Sequence, residues 1–228
     1  MSFKKNKYAV VKQAISKDLA TFLANYFSMQ KQVYDTCRAE RYLSPYEHII
    51  GNYESKDEQI PDTYCQYANI AMETLLLKCQ TLMEKTTGLK LTPSYTYARI
   101  YKKGDVLNRH KDRFSCEIST TMNLGGDDWP LCLNPDPKGG YLHGKLYGQY
   151  GIQDYKETRD QGIKVHLKPG DILIYRGCDL EHWREKFKGK ECIQVFLHYS
   201  DRKRLGSKHS LFDGRVHLGL PHCFQKKR

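Results

Sequence analysis

The 228-residue chain has no two cysteines at C-x-x-C spacing, no apolar run long enough to cross a bilayer, no low-complexity tract and no evident internal repeat. The eight cysteines, Cys37, Cys65, Cys79, Cys116, Cys132, Cys178, Cys192 and Cys223, are widely scattered, which argues against a disulfide framework. They read as reduced thiols of an intracellular, cytoplasmic protein. The opening "MSFKKNKYAVV" lacks the continuous apolar core of a signal peptide, and with no membrane-length segment the expectation is a soluble protein without a membrane partner. Acids are also in short supply, 26 against 37 Lys and Arg, for a formal charge of +11. The excess gathers in "KKNK", in "DRKRLGSK" at 201–208 and in the terminal "QKKR". That permits a polyanionic partner, nucleic acid included. Interleaved exposed aromatics and a nucleic-acid reading motif are missing, so the basic ends read first as solubilising. Oligomeric state is not encoded in any pattern here.

What is present is tyrosine, 17 residues of it, within 12% aromatic and 39% hydrophobic content. This suits a β-rich globular chain long enough for one sizeable core. From Ser16, a plausible N-cap, Leu19, Phe22, Leu23, Tyr26 and Phe27 recur at helical spacing. A second helix follows from Ala68, Ala71, Met72, Leu75, Leu76, Cys79, Leu82 and Met83, stopped by Gly88. After residue 90 the period changes to two. In "SYTYARIY", Tyr95, Tyr97, Arg99 and Tyr101 share one strand face, with Thr96, Ala98 and Ile100 on the other. Further strands are expected at "CEISTTMNL", "WPLCL", "KVHL", "DILIY", "EHW" and "CIQVFLHY". Many short strands after two helices imply a mainly β jelly roll, cupin-like, with helices buttressing one side. The expected division is a helical buttress over 1–90, a β core over 91–200 and a basic extension over 201–228, all in one domain.

His110 and Asp112 in "RHKDR" stand two residues apart on a strand or its end, so both side chains can point the same way. His182 in "CDLEHWRE" is the histidine best placed to join them from a neighbouring strand. Two imidazoles and a carboxylate on one face of an octahedron leave the opposite positions open, as non-haem Fe(II) requires. An H-x-D triplet by itself arises readily by chance.

Ordered context adds weight: Y-x-x-G-x-x-x-x-x-H-x-D from Tyr101 through Gly104 to Asp112, then the turn P-G-D at 169–171, then His182. With this the chain resembles the Fe(II)- and 2-oxoglutarate-dependent oxygenases, in their prolyl-4-hydroxylase-like branch of small microbial and phage members, over roughly residues 92–200. The resemblance implies a double-stranded β-helix, with His110, Asp112 and His182 as catalytic metal ligands. It implies Fe(II), 2-oxoglutarate and O2, with ascorbate as an optional addition, and release of succinate and CO2 as a substrate C–H bond is hydroxylated. In that family the far carboxylate of 2-oxoglutarate usually meets a basic residue on the strand after the distal histidine. Here the position ten residues on is Cys192. Arg99, beside Tyr101, and Lys190 are the two candidate anchors, with Gln194 as a neutral partner. A guanidinium favours Arg99, because it can grip a carboxylate with two hydrogen bonds.

Arg113 and Arg184 are candidates to orient substrate or co-substrate, or to secure a ligand loop through a salt bridge. Trp129 and Trp183 read as packing residues, and His143, His166, His198, His209, His217 and His222 as satisfied or exposed. Residues 125–162 are long enough for a substrate-binding insertion but carry no decodable motif. The first expectation is hydroxylation of a peptidyl proline, with a small metabolite as another substrate. An oxidative nucleic-acid demethylase or hydroxylase and a cupin-like metal protein without 2-oxoglutarate turnover are the alternatives.

Overall fold

The computed structural model describes residues 3–44, 49–55, 60–139, 156–204 and 207–226. A one-turn helix α1 (Phe3–Asn6) and strand β1 (Tyr8–Val11) precede the long helix α2 (Lys17–Ala39). Strands β2 (Asn52–Tyr53) and β3 (Tyr64–Tyr67) lead into α3 (Ile70–Thr87). The strands that follow are β4 (Leu91–Lys102), β5 (Leu107–His110), β6 (Ile118–Gly126), β7 (Leu131–Leu133), β8 (Ile163–Val165), β9 (Ile172–Arg176), β10 (His182–Arg184) and β11 (Glu191–Asp201). They form two antiparallel sheets, ordered β1-β9-β6-β11-β4-β3-β2 and β5-β10-β7-β8. The architecture is the expected jelly roll.

Both helices start and stop where their caps dictate. The Ser16 hydroxyl accepts from the Leu19 N–H at 3.2 Å, and the Asn69 side chain accepts from Met72. Gly88, at φ 72°, ends α3 in the left-handed conformation that glycine takes without steric cost. The large sheet is buried on both faces. Ala98 and Ile100 of β4, Ile172 and Ile174 of β9, and Val195 and Leu197 of β11 pack toward α2 and α3. Their alternate neighbours Tyr101, Leu173, Tyr175 and Cys192 face the small sheet. Period-two alternation thus builds two cores from one set of strands, and the inner one surrounds the site.

Four findings depart from the sequence reading. The stretch before residue 90 supplies three strands as well as helices; β1 pairs with β9 along the sheet edge, from Tyr8↔Tyr175 to Val11↔Ile172. In α2 the buried face is Ala20, Leu23, Ala24, Phe27 and Tyr34, while Phe22 is 66% exposed. Small residues at 20 and 24 let the helix lie close to β6, where Ala24 Cβ sits 3.4 Å from the space a side chain at Gly125 would take. Ala68 lies before the α3 cap, at φ 56°. The chain after β11 also folds back onto the body: Arg215 is fully buried against Glu73 (2.6 Å), and Asp213 receives both terminal nitrogens of Arg113 at 2.9 and 2.7 Å. All eight cysteines are free thiols, and no described helix is long and apolar enough to cross a membrane.

Candidate metal centre and its cavity

His110 ends β5 and stands directly across from His182, which opens β10. Facing residues on neighbouring antiparallel strands bring their side chains together, and the two ring centroids are 4.2 Å apart. Asp112 lies just past the end of β5. Its N–H donates to the Gly177 carbonyl at 2.9 Å, which turns its carboxylate toward both imidazoles.

Each imidazole is oriented by its own strand. His110 Nδ1 lies 2.8 Å from the Asn108 carbonyl and His182 Nδ1 3.0 Å from the Leu180 carbonyl. A carbonyl only accepts, so both Nδ1 atoms carry the proton and each Nε2 presents a lone pair as a candidate metal ligand. The Nε2 atoms sit 3.7 and 3.4 Å from Asp112 Oδ1. Ligands on adjacent octahedral positions of a first-row metal are about 3 Å apart, so the donor set fits such an ion with a small contraction.

Asp112 is fixed from its other oxygen. Ser119 donates to Oδ2 at 2.5 Å and also lies 2.9 Å from the Cys116 carbonyl and 3.1 Å from His198 Nδ1. Gly177 is required here, because a Cβ would overlap Asp112 Oδ2 and Ser119 Oγ. Burial opposes ionisation of Asp112, but His182, His110 and His198 around it hold the carboxyl below its usual range. It therefore stands ready as an anionic ligand. His198, read as one of the unassigned histidines, is buried beside this group with its ring 4.5 Å from Tyr95. Burial, set against the attraction of Asp112, lowers its pKa to about 4.

His110 and His182 line a cavity of about 270 Å³. Its wall includes Tyr95, Tyr97, Arg99 and Tyr101, the strand face expected from the alternation, together with Tyr175 and Glu54. Arg99 is held by Tyr97 Oη at 3.0 Å and the Ile60 carbonyl at 3.4 Å, with its guanidinium near the Tyr97 and Tyr101 rings. Burial pushes the Tyr101 phenol up to about 12, against the pull of Arg99 and Arg184. Gln194 is buried and accepts from Thr121 at 3.0 Å. Lys190 does not join this group: its side chain is exposed in the turn before β11, which removes it from the anchor candidates. Arg184, two residues past His182, points into the interior and donates to Thr121 Oγ1 at 3.1 Å and to the Trp129 carbonyl. Arg113 is clamped by Asp213 and borders a larger groove of about 1050 Å³, also lined by Tyr26, Met29, Val33 and Ile70. Glu54 and Tyr97 line both spaces, so the groove runs up to the cavity. Trp129 and Trp183 are packing residues, 6% exposed each. Of the expected substrate insertion at 125–162, residues 140–155, His143 among them, lie outside the described residues.

No family model matches the chain. No curated protein matches it either. Solved structures do. A prolyl-4-hydroxylase from Pseudomonas putida is similar at 14% identity and TM-score 0.53, over 88% of this chain and 95% of that one. AviO1 from Streptomyces viridochromogenes is similar at 13% identity and TM-score 0.60, over 89% and 93%. HygX from Streptomyces hygroscopicus, solved with nickel and 2-oxoglutarate bound, is similar at 11% identity and TM-score 0.50, over 88% and 85%. At these identities the likeness is one of fold.

Proposed function

We propose that this chain is an Fe(II)- and 2-oxoglutarate-dependent dioxygenase that hydroxylates a C–H bond, with His110, Asp112 and His182 as the metal ligands. The observation that carries the reading is the convergence of two Nε2 atoms and one carboxylate oxygen beside a cavity that both histidines line. Two fold relatives support the cofactor set: HygX binds 2-oxoglutarate together with nickel, and the Pseudomonas protein is a prolyl-4-hydroxylase.

Fe(II) in this position would supply oxygen activation coupled to oxidative decarboxylation of 2-oxoglutarate to succinate and CO2. The chain's own residues do the rest. The Asn108 and Leu180 carbonyls fix which nitrogen of each histidine faces the metal. Ser119 holds one oxygen of Asp112, leaving the other to ligate. Tyr95, Tyr97, Tyr101 and Tyr175 wall the cavity and exclude water from the reacting centre. No step requires a side-chain general base.

The groove beside the cavity has room for an extended substrate, and its aromatic and aliphatic lining favours a peptide over a small polar metabolite. Hydroxylation of a peptidyl proline is accordingly the first reaction to test, in an intracellular setting in keeping with the free thiols. Binding of nucleic acid through the basic segments would show as a steep fall of affinity with salt.

The test is to mix anaerobic protein with Fe(II) and 2-oxoglutarate and look for the visible charge-transfer absorption of the chelate. The band is expected in the wild type and absent from His110→Ala. Its absence from the wild type at saturating co-substrate would overturn the oxygenase reading and favour a cupin-like metal protein.

A further inference from the structure

One carboxylate stands where the groove meets the metal-side cavity. Among the described residues Glu54 is the only acid that lines either space, and it lines both. Its backbone is fixed, the carbonyl accepting from the Asp62 N–H at 3.2 Å, while its side chain is exposed and joins no ion pair among the described residues. Burial raises the pKa of the adjoining Tyr97 phenol, and the Glu54 charge adds to the rise. The arginines on the same walls are engaged: Arg113 gives both terminal nitrogens to Asp213, and Arg99 is held by Tyr97 and the Ile60 carbonyl. An anionic ligand has to compete for those cations, whereas a cationic one meets a carboxylate that no described side chain answers. Along the banks Met29, Val33, Ile49 and Ile70 are 49–70% exposed, with the carboxamides of Asn52 and Gln66 among them. A carboxamide carries the donor and acceptor of a peptide group, so this mixture suits a polypeptide.

We infer that the groove takes a polypeptide with a Lys or Arg beside the residue delivered to the cavity, and that Glu54 selects for that basic residue. What then happens in the cavity rests on the oxygenase reading above. An extended chain advances about 3.4 Å per residue, so a long basic side chain one or two positions from the residue in the cavity spans to the junction. The formal charge of +11 repels cations at long range. Physiological salt screens that field over about 8 Å, which leaves the nearest carboxylate to decide what docks at the junction. Glu54 thus acts as a filter: it favours basic segments, disfavours acidic ones and leaves the apolar banks to supply most of the affinity.

The experiment uses nine-residue peptide amides with a central proline flanked by leucines and with Lys, Arg, Gln or Glu on either side of the proline. Each is titrated into the metal-free protein by calorimetry, and succinate release is measured in parallel on the Fe(II)-loaded protein with 2-oxoglutarate. The wild type is expected to bind the Lys and Arg peptides about fivefold more tightly than the Gln peptide, the worth of one partly exposed ion pair, with the Glu peptide weakest. The ranking should flatten in Glu54→Gln, invert in Glu54→Lys and shrink as salt is raised. Asp18→Asn, which removes an exposed acid of α2 outside the groove, keeps it. Because Glu54 is exposed, neither of its variants threatens the fold. A basic preference that survives in both Glu54 variants, equal affinity for all four peptides, or no binding at millimolar peptide overturns the assignment. The expected ranking without succinate release from any peptide upholds the groove and overturns hydroxylation of these peptides.

Discussion

Arg215 and Arg184 are buried to the same degree, 0% and 1% exposed, yet they sit in opposite circumstances. Every N–H of Arg215 has an acceptor: Phe212 O for Nε, Glu73 and Leu220 O for one terminal nitrogen, Glu73 and Ser94 O for the other. Arg184 uses both terminal nitrogens on neutral groups and leaves Nε without a partner. The first joins the C-terminal segment to α3. The second holds its charge on the Trp129 carbonyl and the Thr121 hydroxyl, two residues along β10 from His182. A buried charge paired with a carboxylate leaves an uncompensated partner when it is removed, whereas one held by neutral groups does not.

The sharpest way to test that contrast is to break the paired member. Arg215→Met leaves Glu73, 2% exposed, as a buried carboxylate whose remaining bond is from the Gly219 N–H. A loss of about 3–5 kcal/mol is expected in denaturant unfolding. The double variant Glu73→Leu/Arg215→Leu should recover much of that loss, since it removes both charges. A single variant within 1 kcal/mol of wild type would show that the pair does not anchor the C-terminal segment.

His198 is the intermediate case, a buried base that can escape its charge by giving up the proton. It is faced by Asp112, Arg113, Asp213 and His182, with Ser119 at Nδ1 and Tyr95 against the ring. Burial lowers its pKa from 6.5 to about 4. Between those values the unfolded chain binds the proton and the folded one does not, so stability falls as pH drops from about 6.5 to about 4. The loss from this one group is about 3 kcal/mol. Asp112 and Asp213, both depressed, contribute stability that is lost only below the normal carboxylate range, outside this window. Metal-free protein followed by chemical denaturation across pH should show the slope, and His198→Phe should flatten it. An unchanged slope in that variant would assign the titration elsewhere.

The same contrast explains what could be read from the sequence. Strand alternation placed Tyr95, Tyr97, Arg99 and Tyr101 on the cavity face, a local pattern, and the H-x-D spacing with His182 picked out three side chains whose ligand atoms converge. The Glu73–Arg215 pair, 142 positions apart, has no local signal. Strand β1, four residues long, is too short for its period to be distinctive and is held by pairing with β9. In α2, helical spacing found Leu23 and Phe27 but also Phe22 and Tyr26, which face out; the close approach of Ala20 and Ala24 to the sheet turned the buried face. Arg184 was visible as a candidate beside His182. The acceptors its guanidinium meets, the Trp129 carbonyl and Thr121 Oγ1, are a property of the packed state.

The smallest expected effect separates the two arginines most cleanly. Removing Arg184 costs little: two hydrogen bonds to neutral groups are lost, about 1 kcal/mol each, and the desolvation penalty of an uncompensated cation is relieved. These oppose each other, so Arg184→Met should unfold within about 1 kcal/mol of wild type in urea. A loss comparable to that of Arg215→Met would mean that Arg184 is a structural cation, and that buried charge of both kinds serves the fold.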